Sequence, residues 1–185
     1  LNTFPPSKPL SQSSIDQWTG DDGLISNNLT SVVQGNHGFL WITAYNGLLR
    51  FDGHHFELFD RDNTPFLQSD AFYQTYKEGD KLWLATQGSG IVVYEKNTLK
   101  PYQPKGGTLP SSIRCLLVTD STMYVGSNNN GLFILRNEIV EKPDFDPISN
   151  TSIMALAIDT HGSIWVGTNG NGVVKIKNGV FTHYT

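Results

Sequence analysis

Trp165-Val166-Gly167-Thr168, with Gly172-Val173 close behind, is the last of four copies of one pattern. Trp41-Ile42-Thr43-Ala44, Trp83-Leu84-Ala85-Thr86 and Tyr124-Val125-Gly126-Ser127 precede it, and their leading aromatics stand 42, 41 and 41 residues apart. Each copy runs aromatic, branched aliphatic, small, small. The match continues outward from this core. A glycine recurs at Gly47, Gly90, Gly131 and Gly172, and each opens a β-rich stretch at Leu48, Ile91, Leu132 and Val173. An apolar residue falls 11 or 12 positions before each aromatic, at Leu29, Ala71, Ile113 and Ile153. Short alternating pieces such as 56–59 and 180–184 close the units. Every unit therefore reads as four strands joined by three turns.

Helix fails as a reading, because Gly, Asn and Asp interrupt the chain well before the roughly 11 to 12 residues of a mean helix. The runs between interruptions, such as 82–86 and 91–94, are β-branched and aromatic, which suits a pleated surface. A repeat of about 40 to 45 residues with four strands is the signature of a β-propeller blade. The expected fold is all-β: four consecutive four-stranded antiparallel blades over 15–185, approximately 29–60, 71–102, 112–142 and 152–184. Residues 1–14, rich in Pro and Ser, read as a flexible leader. First strands are expected near 29–33, 71–76, 113–118 and 153–158, and second strands from near 39, 81, 122 and 163. No helix longer than two turns is expected within 29–184.

Stacked blades need a large flat anchor on one surface and small residues on the surface opposite. Trp41, Trp83, Tyr124 and Trp165 are assigned to blade packing on that ground, with their small neighbours expected to form the opposing surface. Residues 15–18 read as a spare outermost strand of the kind that completes the last blade of a closed ring. An open stack would leave the apolar faces of its end blades in water, so self-association through blade faces is expected.

Composition excludes several classes. Lys plus Arg is 13 against 17 for Asp plus Glu, a net charge of −4, with no basic cluster to track a nucleic-acid backbone. No apolar run reaches the roughly 18 to 20 residues of a membrane span. Cys115 is the one cysteine and lies in an apolar run, so it reads as a small buried hydrophobe. No catalytic constellation, metal site or cofactor motif is evident. His54-His55 sits beside Gly53 in a turn, and adjacent strand residues point to opposite faces. Asp159-Thr160-His161-Gly162 and Asp21-Asp22-Gly23 carry ordinary turn chemistry. Gly88-Ser89-Gly90 has no following helix with which to cradle a phosphate.

If the chain binds a solute, one rim or a subunit junction is where binding is expected, ordinary turn chemistry being the competing reading of the rim residues. Turns between second and third strands all emerge there, and they carry Tyr45, Asn46, Gln87, Ser89, Asn128, Asn129, Asn169 and Asn171. Uncharged donors and acceptors of this kind suit a neutral polar solute such as an oligosaccharide, or a peptide.

Trp-Ile/Val-Gly-Thr, then Asn-Gly-Leu and a basic-aromatic-Asp strand ending, resembles the two-component regulator propeller repeat of bacterial sensor proteins. The fullest copy is Gly38-Phe39-Leu40-Trp41-Ile42 leading to Asn46-Gly47-Leu48-Leu49-Arg50-Phe51-Asp52-Gly53. Ahead of it, Trp18 followed by Asp22-Gly23-Leu24 and then Asn27 or Asn28 is similar to the opening of that family's periplasmic region. The first copy departs from the pattern, with Thr43-Ala44 for Gly-Thr and one residue fewer before its glycine, and the third has Tyr124 for Trp. The resemblance implies part of a larger propeller, the periplasmic signal-input region of a transmembrane receptor. It implies a histidine kinase or diguanylate cyclase output on a separate module, and membrane attachment through segments outside this chain. The alternative is a structural protein–protein interaction propeller with no small-molecule ligand.

Overall fold

The structure, a computed structural model, describes residues 15–119 and 121–185, so the leader at 1–14 lies outside the described residues. Four antiparallel sheets of four strands each follow the chain in order. Blade one is β1 (Leu29–Gln34), β2 (Leu40–Ala44), β3 (Gly47–Phe51) and β4 (Phe56–Phe59). Blade two is β5 (Phe72–Glu78), β6 (Lys81–Thr86), β7 (Ile91–Glu95) and β8 (Thr98–Pro101). Blade three is β9 (Ile113–Val118), β10 (Thr122–Ser127), β11 (Leu132–Arg136) and β12 (Ile139–Glu141). Blade four is β13 (Ile153–Ile158), β14 (Ile164–Thr168), β15 (Val173–Lys177) and β16 (Val180–Tyr184). The first strands β1, β5, β9 and β13 contact one another in succession and form the inner edge of the stack. These starts agree with the sequence expectation within about a residue. The longest helix among the described residues is a single turn, Asp146–Ser149, between blades three and four.

Two expectations need correction. Residues 15–18 form no strand: each sheet already draws four strands from its own repeat, which leaves no edge for them to complete. Instead Trp18 packs edge-on against Phe51 at 5.1 Å, and Leu24 and Ile25 lie on Ile42 and Leu49, covering part of the outer face of blade one. The small residues also work differently. Alternation along a strand puts residues i and i+2 on one face, so Trp83 shares its face with Ala85, and Tyr124 with Gly126. The aliphatic between them points the other way.

Packing follows from that alternation. Trp83, Ala85, Ile91 and Val93 of blade two meet Leu116, Met123, Val125 and Phe133 of blade three. Trp41 and Leu48 meet Phe72, Leu82, Leu84 and Val92 in the same way, and Leu132 and Ile134 meet Ile164, Val166, Val174 and Ile176. The aromatic face of each blade thus receives the aliphatic face of the next. Small residues beside the aromatic admit the following inner strand, as Gly126 does for Ile153. In blade four the equivalent face carries Trp165, Ala155, Ala157, Val173 and Tyr184, and no described residue packs on it as a further blade. Trp41 is 2% exposed, whereas Trp165 is only half-buried and stacks on Tyr184 at 5.7 Å, itself 48% exposed.

A hydroxyl clamp shapes the rim loops. Thr86 Oγ1 donates to the Gly90 carbonyl at 2.8 Å and accepts the Ser89 amide at 3.2 Å. Ser127 repeats this with Gly131 and Asn130, and Thr168 with Gly172 and Asn171. The glycine that closes each loop has φ of 67°, 82° and 68°, the left-handed region that disfavours side chains. Blade one has Ala44 at the clamp position and so no hydroxyl. Its loop shortens to Tyr45-Asn46, with Ala44 paired directly to Gly47, which accounts for its missing residue.

Candidate functional site at the propeller mouth

Each inner strand carries a β-bulge at the same place. Leu29 pairs with Ala44 and Ser31 with Thr43, leaving Thr30 outside the ladder. Phe72 and Gln74 skip Tyr73, Ile113 and Cys115 skip Arg114, and Ile153 and Ala155 skip Met154. Bulges re-aim a side chain that the ladder would otherwise commit to one face. Here the four re-aimed residues converge on one cavity of about 400 Å³ at the mouth of the stack, joined by Asn28, Leu29 and Tyr45. All four blades contribute to it.

The geometry inside is specific. The Arg114 guanidinium lies 5.1 Å over the Tyr73 ring, and Tyr45 meets the same ring edge-on at 5.9 Å. The Tyr73 hydroxyl donates to Gln87 Oε1 at 3.2 Å, which fixes the ring from its far end. Thr30 Oγ1 bonds to the Phe72 carbonyl at 2.8 Å, tying blade one to blade two at the cavity wall. Tyr45 is 51% exposed because the shortened first loop carries it out over the mouth.

The structure distributes the sequence-predicted rim residues unevenly. The loops lie on one rim with the blade entries, as their hydrogen bonds show: the Asn128 amide donates to the Ser112 carbonyl and the Asn169 amide to the Ser152 carbonyl, each at the entry to its own blade. Tyr45 lines the mouth, and Gln87 reaches it through Tyr73. Asn46 is exposed beside Tyr45. Ser89 accepts the Gln68 amide at 2.8 Å, and Asn128 and Asn129 both accept from Ser152 Oγ, at 3.1 and 2.8 Å. The Asn169 carbonyl accepts from Thr151, and Asn171 donates to the Pro147 carbonyl at 3.2 Å. Of these five contacts, those of Ser89, Asn169 and Asn171 hold the loop to the connection entering its own blade, and those of Asn128 and Asn129 hold it to the connection entering the next. Sequence reasoning missed Tyr73, Arg114, Met154 and Thr30. A signal existed in the apolar column, whose second member is Phe72 rather than Ala71, since Phe72 pairs with Thr86 as Ile113 does with Ser127. The residue following that column is the bulge.

Among the described residues no three His, Cys, Asp or Glu groups gather at metal-holding distance. The Cys115 thiol is buried, with Sγ 3.6 Å from the Ile153 carbonyl, and burial pushes its pKa up to about 12. It is a neutral packing group at physiological pH. His54 and His55 lie in a turn whose amides donate to Asp52, holding that carboxyl below its ordinary range. On the opposite rim a cleft of about 310 Å³ opens between blades one and two, floored by Trp41, Leu82 and Tyr94. Lys77, Asp80 and Lys96 surround it with mixed charge.

Fold and mouth together define a β-propeller module with a cavity at the convergence of its inner strands. The chain resembles the propeller domains of two-component sensors: the family model described as "Two component regulator propeller" matches residues 147–170. No curated protein matches the sequence. Among solved structures, the extracellular domain of BT4673 from B. thetaiotaomicron, described as a one-component system, superposes with a TM-score of 0.72 at 21% identity, covering 85% of this chain and 25% of that one. The extracellular domain of BT3049 from the same organism, described as a hybrid two-component system, gives 0.56 at 19% identity, covering 90% and 31%. Streptogramin B lyase gives 0.65 at 14% identity, covering 87% and 55%. The chain thus spans a quarter to a third of the two sensor domains, and the likeness is one of fold. No helix among the described residues is long and apolar enough to cross a membrane.

Proposed function

We propose that this chain is a periplasmic signal-input propeller region of a bacterial transmembrane receptor, which binds a small solute at its mouth without transforming it. The observation that carries this reading is the convergence of four bulged residues, one per blade, on a single cavity. A site shared by four blades couples its occupant to their relative orientation, so a ligand that prefers one arrangement shifts the population toward it. The mouth offers aromatic faces, hydroxyls and a guanidinium, and no paired acid and base. The resemblance to extracellular sensor domains supports the placement in the periplasm. A thermal-shift screen of oligosaccharides and peptides tests the reading. The expected result is a rise in Tm that is lost in Tyr73→Leu, with the solute recovered chemically intact. Consumption of the solute would overturn it.

A second reading, an interaction propeller, is favoured by the aromatic face of blade four. The same face in blades one to three packs a following blade, so the occupant it fits is a further blade of this repeat. Binding at the mouth and blade packing at this face are compatible in one molecule.

A further inference from the structure

We infer that the solute bound at the mouth is an anion, a carboxylate or sulfate ester on a sugar-like ring, and that Arg114 is the group that recognises it. This rests on the mouth reading and narrows its ligand from the neutral solute that rim composition alone favours. The chain has four arginines. Arg50 pairs with Glu57, Arg61 with Asp70 at 2.9 Å, and Arg136 with Glu141. Among the described residues Arg114 alone has no carboxylate partner. It is half-buried, and the bulge at its position turns it out of the β9 ladder into the cavity.

Its surroundings are selective for an anion. Among the described residues no Asp or Glu lines the mouth, in a chain that carries 17 of them. A guanidinium stacked on an aromatic face keeps its planar donor fork free at the edge, the geometry that matches a carboxylate or sulfate two bonds at a time. Tyr73 supplies that face, and Tyr45, exposed beside it, offers a second aromatic surface on which the body of a sugar ring lies. The purely structural account of Arg114 would be a surface cation kept for solubility. That account does not explain a lining from which, among the described residues, acidic side chains are absent.

Glucuronate and glucose, which differ in a carboxylate at one carbon, form a matched pair of probes, with a glucuronate-containing disaccharide and its neutral counterpart as longer versions. Binding is followed by NMR at the Arg114 Nε–H and the Tyr73 ring, and by calorimetry at two salt concentrations. The acidic probe is expected to shift both signals and to bind roughly ten- to hundred-fold more tightly than the neutral one, as a charge-assisted bidentate contact requires. Arg114→Gln should remove that preference while leaving the fold intact by circular dichroism, Arg114→Lys should retain part of it, and added salt should weaken the acid alone. Equal binding of both probes at the mouth, indifferent to Arg114→Gln, would overturn the anion assignment while sparing the mouth. Acid binding that shifts residues elsewhere would overturn both. A failure of every acidic probe to move Arg114 at millimolar concentration would overturn the anion assignment.

Discussion

Ile153, the first residue of blade four, sits over Gly126 of blade three so closely that a β-carbon on Gly126 would lie 2.7 Å from its Cγ2, and 2.4 Å from Cys115 Sγ. Gly167 occupies the same place in blade four, yet a β-carbon there would meet only Ala155, at 3.7 Å. The two glycines therefore predict opposite outcomes. Gly126→Ala should cost about 1 to 3 kcal/mol by overpacking, and Gly167→Ala should be close to neutral, as read by urea unfolding. Equal costs would mean that space at the blade junction is not what sets the small residue.

The hydroxyl clamp makes a second comparison. Ser127 is fully buried, and its hydroxyl joins the Gly131 carbonyl to the Asn130 amide. Ser127→Ala should cost about 1 to 3 kcal/mol by leaving these groups unpartnered, with Ser127→Thr recovering most of the loss. Unfolding curves of the two variants decide it. A Ser127→Ala protein as stable as the parent would show the loop to be held by its glycine alone.

Acid titration tests the half-buried Trp165. Asp159 accepts the Trp165 indole N–H at 3.0 Å and the amides of Ser163 and His161, and these bonds, the indole's first, hold its carboxyl well below the usual range. A depressed carboxylate contributes stability that is fully present above its ordinary pKa near about 4 and is lost progressively as pH falls from there through the lowered pKa. Trp165→Phe should move the Asp159 midpoint, followed by NMR, upward toward that ordinary range. An unmoved midpoint would assign the shift to the amides alone.

Exposed apolar surface on the aromatic face of blade four predicts association of this 185-residue chain. Light scattering at rising concentration should show mass increasing beyond the monomer, and a Trp165→Glu, Tyr184→Glu double variant should suppress it. A particle that stays monomeric at every concentration would show that the face needs no partner.

Strand positions were legible because a period of 41 to 42 residues carries aligned columns, and alignment locates strands without any knowledge of packing. Sidedness was harder to read. That Gly126 works beside Tyr124 rather than opposite it follows from the two-residue alternation, but which neighbour it faces is a property of the stack. Trp18 belongs to the same category: its apolar character was visible, while its seat on Phe51 depends on blade one having a complete sheet. The mouth was hidden for a local reason. Arg114 stands between Ile113 and Cys115 in a run that reads as continuous strand, and a bulge leaves no mark on hydrophobic periodicity. It becomes visible when residues 30, 73, 114 and 154 are set in one column.

The claim that a solute binds where the inner strands converge, rather than in the cleft of the opposite rim, is tested most directly by calorimetry on two variants side by side. With any solute that stabilises the parent, Tyr45→Ala at the mouth should weaken binding roughly ten-fold or more, as loss of an aromatic contact surface does. Lys96→Ala, at the cleft between blades one and two, should leave it unchanged. Binding lost in Lys96→Ala and preserved in Tyr45→Ala would contradict the account and move the site to the other rim.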